Sequence, residues 1–267
     1  MKHSVDISSI IPLRLLHLEE EPEPVRLVLL HNVLCAVRTQ DHIKDSDDVL
    51  ATLEALAAGA GDPNMQCALL ACDTLLALTT RIENNRFARY RAAVVPALLR
   101  AFSSQHEELT LRLSDVLDAI FAISTISALT ESVIKELKPA APRISTSALE
   151  FIQRCLKKTP FTPVLVFARM LACAIVQIIR LAVDEVLYGC ALRTMGTLVR
   201  VVGPTAVLDM LSLLKDAEYA VVVNSAHHVQ VAYPSREPIQ ARLGHSRAEN
   251  VTPMDTPQVE VVGETAR

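Results

Sequence analysis

The chain has 267 residues and contains no Trp, 7 Gly and only 4% aromatic side chains. Sheets joined by tight turns draw on Gly and aromatics, and nucleotide-binding loops need Gly-rich turns, so both architectures are disfavoured. There is no Cys-x-x-Cys pair: Cys35, Cys67, Cys72, Cys155, Cys173 and Cys190 each fall within an apolar periodic segment. That pattern predicts buried thiols in a reducing compartment and no disulfide or metal framework. A basic excess is also missing, and with a net charge of −4 no global field recruits nucleic acid. No G-x-S-x-G, H-E-x-x-H or G-x-x-x-x-G-K-[ST] occurs, so no catalytic residue, metal or cofactor is expected. Adjacent His227 and His228 do not share a helix face, and the cluster Asp41, His42, Asp45, Asp47 and Asp48 lacks the Gly and Glu of a calcium loop. The apolar stretch Ile10–Leu18 is broken by Pro12, Arg14 and His17, which argues against a signal peptide.

What is abundant is Ala and Leu, within 51% hydrophobic residues, and these favour helix. Apolar recurrence at three and four residues predicts helices over 8–18, 25–37, 48–58, 65–81, 88–102, 109–123, 128–137, 144–157, 164–181, 186–202 and 205–214. Pro96 should kink the fifth, and Gly203 suits the C-terminal cap of the tenth. Helix pairs recur at the ~35–45-residue period of HEAT and armadillo arrays, in which each repeat is covered by its neighbours. The segment Val164–Val183 has membrane-span length but carries Arg169 and Arg180, so a helix buried between two neighbours is expected, with no membrane partner. After Lys215 the helical period fades and Pro234, Pro238, Pro253 and Pro257 follow, predicting a disordered tail in which Tyr219–Val223 is at most a strand. Thr252 and Thr256, each before Pro, are weak candidates for phosphorylation.

Four stretches go beyond generic helices: Arg86–Phe102 (RFARYRAAVVPALLRAF), Leu117–Phe121 (LDAIF), Ala148–Pro160 (ALEFIQRCLKKTP) and Met195–Gly203 (MGTLVRVVG). In order and spacing they resemble core helices of TOG domains of the microtubule polymerase type. The resemblance implies an all-α fold, an α-solenoid of about six HEAT repeats shaped as a flat paddle. The expected division is a flexible N-terminus over 1–7, the repeat domain over 8–217 and a mostly disordered tail over 218–267.

In that family the loops inside each repeat line one edge that binds a curved αβ-tubulin dimer. Here those loops are expected at 19–24, 60–64, 103–108, 139–143 and 182–185. The implied partner-binding residues are Glu23, Arg26, Asn64, Gln105, Lys138, Arg143, Ser145 and Glu185. The first loop carries Glu23 where the family has an exposed Trp, although Val25-Arg26 keeps its V-R. In the fourth loop only Pro142 remains of K-N-P-x-V-K, and in the fifth the Arg and Asp of E-V-R-D are gone. The loops hold Glu19, Glu20, Glu21, Glu23, Asp62, Glu107, Glu108, Asp184 and Glu185 against Arg143 and Lys138, an unfavourable balance for acidic tubulin. Two functions follow: a non-catalytic microtubule-associated domain of the cytoplasmic cytoskeleton and spindle, or a divergent HEAT scaffold taking another protein, such as a basic one, on its acidic edge.

Overall fold

The computed structural model describes residues 4–9, 11–44, 48–82, 89–104 and 106–239. Among these the helices are α1 (Glu23–Thr39), α2 (Asp48–Gly59), α3 (Met65–Arg81), α4 (Arg91–Ala101), α5 (Glu107–Ala122), α6 (Ile126–Glu136), α7 (Pro142–Lys158), α8 (Phe161–Leu181), α9 (Glu185–Val202), the single turn α10 (Leu208–Leu211) and α11 (Asp216–His228). They form two layers. In one, α1, α3, α5, α7, α9 and α11 each contact the next; in the other, a 3-10 segment (Leu13–Glu20) precedes α2, α4, α6 and α8, and α10 with its preceding 3-10 turn contacts α8. Each first-layer helix from α1 to α9 pairs with the element before it in sequence, and at the end of the array α10 packs on α8 while α11 packs on α9, the HEAT solenoid expected from the sequence.

The buried positions show why these segments are helical. In α7 they are Ser145, Ala148, Leu149, Phe151, Ile152, Cys155 and Leu156, the three- and four-residue spacing of one helix face. One continuous core runs from Ile7 to Ala226. Ion pairs also tie successive helices of one layer: Asp73 on α3 meets Arg38 of α1 at 3.8 Å and Arg112 of α5 at 3.1 Å, and Asp118 of α5 meets Arg154 of α7 at 3.0 Å. Helix α4 runs through Pro96 without interruption. The carbonyl its missing N–H leaves unbonded belongs to Ala92, an exposed residue.

Several expectations need correction. Residues 4–6, assigned to a flexible N-terminus, form strand β1 (Ser4–Asp6), paired in parallel with β2 (His42–Lys44) inside the expected loop after α1. Ile43 bridges on to Ile82, and Ile7 is fully buried, so residues 4–7 are held by backbone pairing and burial. Asp45 and Asp47 lie outside the described residues. The helix expected over 8–18 is two 3-10 segments, because Pro12 between them supplies no N–H for a continuous ladder. The helix expected over 205–214 is a 3-10 turn followed by one α turn.

The largest correction concerns the tail. Asp216–His228 is helix α11, with Glu218, Val222, Val223 and Ala226 buried at helical spacing against α9. Tyr219–Val223 carries strand propensity, but the face offered by α9 overrides it. Gly196 makes the approach possible: a Cβ there would lie 2.6 Å from the Ser225 Cβ and 2.8 Å from the Val222 carbonyl. Residues 229–239 then cross the ends of two helices, Ala232 N–H donating to the Lys157 carbonyl and Ser235 N–H to that of Arg200, both at 2.8 Å. Glu237 reaches Thr205 and crowds Gly203, whose φ of +84° closes α9 as only Gly does easily. Residues 240–267, with Thr252 and Thr256, lie outside the described residues.

Helix α8 is long and apolar enough to cross a membrane by length and composition. One face packs on α6 and α9, but Leu165, Val166 and Met170 on the other are exposed, so it is not buried all round as expected. Burial of the thiols likewise holds for Cys67, Cys72, Cys155 and Cys190, while Cys35 and Cys173 are exposed. Burial pushes the Cys72 thiol up to about 12, which suits an inert packing group.

Candidate protein-binding edge

Because the second helix of each pair runs antiparallel to the first, the short loops inside the pairs line one edge. They are residues 21–22, 60–64, 102–106, 137–141, 182–184 and 212–215. The first five overlap the loops named from the sequence, each within a few residues at its bounds; the sixth was not named, because the helix it leads into fell in the expected tail. At each, one helix begins with its N–H groups and positive dipole end at the edge. Glu23, Glu107, Glu108, Glu185 and Asp216 occupy those first turns, so much of the edge acidity is the complement of helix starts.

The first two loops are fastened together. Arg26 of α1 donates through Nε to Asp62 Oδ2 at 2.8 Å and through a second nitrogen to Oδ1 at 3.0 Å, and a third bond reaches the Glu21 carbonyl at 2.9 Å. Both side chains are mostly buried, 14% and 7% exposed. The hydrogen bonds it donates to Asp62 raise the pKa of Arg26, so the guanidinium stays charged. Asn64 caps α3, its Oδ1 accepting from the N–H groups of Gln66 and Cys67, while its Nδ2 donates to Glu23 Oε1 at 2.7 Å. The structure thus brings Glu23, Arg26 and Asn64 into one network, in which Arg26 serves the protein's own loop and offers little to a partner. Beside it lies a cleft of about 560 Å³ with Glu19 and Glu54 on its rim and Leu18, Ala51, Ala55 and Ala58 on its walls.

In the middle, Gln105 lies outside the described residues. Ser145, expected to face a partner, is fully buried: its hydroxyl donates to the Lys138 carbonyl and accepts from the Lys138 N–H, each at 2.8 Å. It is a staple that shapes the fourth loop, not a contact residue. Lys138 is exposed and 3.6 Å from Glu136, which Arg100 also binds at 2.7 Å. Arg143 is exposed in a shallow cleft shared with Asp184 and Val186.

The last two loops are different. Asp184 caps α9 by accepting from the Leu187 N–H at 2.8 Å, and Glu185 beside it is exposed. Around them Val183 is 96% exposed, Val186 66%, Leu181 63% and Leu213 of the sixth loop 44%. Val183 and Leu213 line a cleft of about 640 Å³ together with Arg180, Tyr188 and Lys215. Tyr188 donates to Glu218 Oε1 at 3.2 Å, and the Lys215 N–H donates to Oε2 at 2.8 Å, so one carboxylate joins both loops. Burial, then the charge of Glu218, raises the Tyr188 phenol above its ordinary range. Sequence reasoning missed these apolar residues; the signal was the run from Leu181 to Val186 inside a loop already named, weighed there for charge alone.

No protein-family model matches the chain. Over 167 residues, 61% of the chain, it is 26% identical to the protein mini spindles of Drosophila melanogaster, and the match spans 8% of that protein. Its fold is similar to a chain from a structure of microtubule plus end tracking by XMAP215, CLIP-170 and EB1, with TM-score 0.68 and 22% identity over 86% of this chain and 95% of that one. A microtubule polymerase with a TOG domain array, solved for tubulin recruitment and assembly, aligns with TM-score 0.72 and 18% identity over 86% of this chain and 48% of that one. The TOG domain array of crescerin, which regulates microtubules in the primary cilium, aligns with TM-score 0.69 and 10% identity over 84% and 92%. The chain is a HEAT-repeat domain with the TOG fold, similar in sequence to part of mini spindles.

Proposed function

We propose that this domain is a non-catalytic microtubule-associated module that binds αβ-tubulin along its intra-repeat loop edge. The observation that carries the reading is sequence similarity to mini spindles in a chain whose fold aligns with tubulin-recruiting TOG arrays. Its place would be the microtubule cytoskeleton, including the spindle. Co-migration of the domain with αβ-tubulin on size exclusion at low salt is the expected result. A wild-type chain that elutes unshifted at saturating tubulin ends the proposal.

A second reading has its own observation, the acidic cleft between the first two loops. A scaffold that takes a basic partner would use Glu19 and Glu54 of that cleft, with Glu21 and Glu23 of the adjoining loop. Charge reversal at Glu21, Glu23, Glu107 and Glu108 would then abolish capture of that partner, whereas tubulin capture would survive or improve.

A further inference from the structure

We infer that the tubulin contact is anchored at the C-terminal end of the loop edge, by Val183 and Val186 of the fifth loop with Leu213 of the sixth. The inference rests on the reading of this edge as the tubulin-binding surface. Three observations carry it.

The first is exposure without flexibility. Val183 sits at the tip of a loop of three residues, between the end of α8 and the capped start of α9, and is 96% exposed. Val186 follows in the first turn of α9 and is also largely exposed. The cleft beneath is fixed by Tyr188, Glu218 and the Lys215 N–H, so little order remains to be imposed on binding. Val183 and Leu213 line this cleft and Val186 the neighbouring one with Arg143, and exposed apolar groups clustered within a polar rim mark a protein interaction site.

Charge supplies the second observation. At the first loop Glu19, Glu20, Glu21 and Glu23 crowd together, and Arg26 is already spent on Asp62. Around the fifth and sixth loops exposed Arg180 and Lys215, with Arg143 of the fourth loop in the cleft it shares with Asp184 and Val186, stand against Asp184, Glu185, Asp216 and the mostly buried Glu218. An acidic partner therefore meets less repulsion at this end than at the first.

The third is what the first loop cannot supply. Its tip reads Glu20-Glu21-Pro22-Glu23, Glu23 is engaged by Asn64, and the chain contains no Trp to place there. Of the large hydrophobics exposed at the described edge loops, Leu181, Val183, Val186 and Leu213 all belong to the fifth and sixth.

The test is a sedimentation-velocity titration of unlabelled αβ-tubulin at low salt with the wild-type domain, Val183→Glu/Val186→Glu, Val183→Ile/Val186→Leu and Glu20→Ala. Both valines are exposed, so circular dichroism should show the Glu variant folded. The expected result is at least a tenfold loss of affinity for the Glu variant, retention by the apolar variant and by Glu20→Ala, and tubulin-dependent hydrogen-exchange protection at 182–187 and 212–215. Wild-type binding that the Glu variant leaves unchanged, or protection confined to 20–26, overturns the inference and leaves the tubulin reading standing. Absence of wild-type binding overturns both. Self-association of the domain alone that Val183→Glu abolishes assigns the patch to a second copy and also overturns the inference.

Discussion

The two ends of the loop edge are built by the same helix-pair geometry and present opposite chemistry. At the first two loops a bidentate Arg26–Asp62 pair, a capping Asn64 and Glu23 close the surface into a polar network. At the fifth and sixth, the Glu218 carboxylate lies beneath, and apolar side chains stand outside alongside Asp184 and Glu185. A solenoid allows this because each repeat answers only to its neighbours, so one end of an edge can change without disturbing the other. Counting loop charges along the whole edge averages two surfaces that a partner meets separately.

The strongest way to break the contrast is to displace the repeat that supports the apolar end. Leu in place of Gly196 must push away Ser225 and the Val222 carbonyl, and overpacking of this kind costs about 1–3 kcal/mol. Gly196→Leu should lower the urea midpoint, detach α11 and with it Glu218, and reduce tubulin capture as far as Val183→Glu does. Capture that survives the loss of α11 would move the contact toward the first loops.

Asn64→Ala attacks the polar end. It removes the α3 cap and the link to Glu23, for a loss of about 1 kcal/mol in equilibrium unfolding. Tubulin capture should be unchanged, and a drop comparable to that of the valine variants would show that both ends engage.

Charge reversal at exposed Glu19 and Glu20 sharpens the comparison with less effect. It should raise tubulin capture roughly threefold at low salt, with the gain lost at high salt, as for any screened surface charge. The ratio of association constants at the two salt concentrations reads it.

The smallest effect is a titration. Tyr188 has a raised pKa from burial and from Glu218, so its stabilising contribution is complete below the unfolded value and is lost as pH rises through the higher folded value. Glu218→Gln should bring the phenol back toward the ordinary range and shrink that alkaline loss, visible as a difference in alkaline ultraviolet titration against Tyr188→Phe.

Much of the solenoid is legible in the sequence because strong local signals coincide there. Met65–Arg81 matches its expected span because Gly61, Asp62 and Pro63 stop the preceding chain and Asn64 caps the next helix. The run from Tyr219 to Val223 shows the opposite case: its local preference is for strand, and only contact with α9 makes it the last helix. Strand β2 escaped notice because three residues carry little period and its partner, β1, lies some forty residues earlier. At the candidate site Ser145 and Arg26 were named by their positions in a motif, and their burial was not in the motif.

The sequence by itself determined the class and the phase of this protein: helices by Ala and Leu content, their spacing by apolar period, and the absence of an aromatic Trp anchor by composition. Which side chains reach a partner was decided only in the tertiary structure. Helix-start acids such as Glu107 and Glu185 and buried ion pairs such as Arg26–Asp62 satisfy the fold's own electrostatics, while Val183, an ordinary apolar residue in sequence, is left outside. Exposure depends on which neighbours the packed helices bring alongside, and no stretch of chain carries its own neighbours.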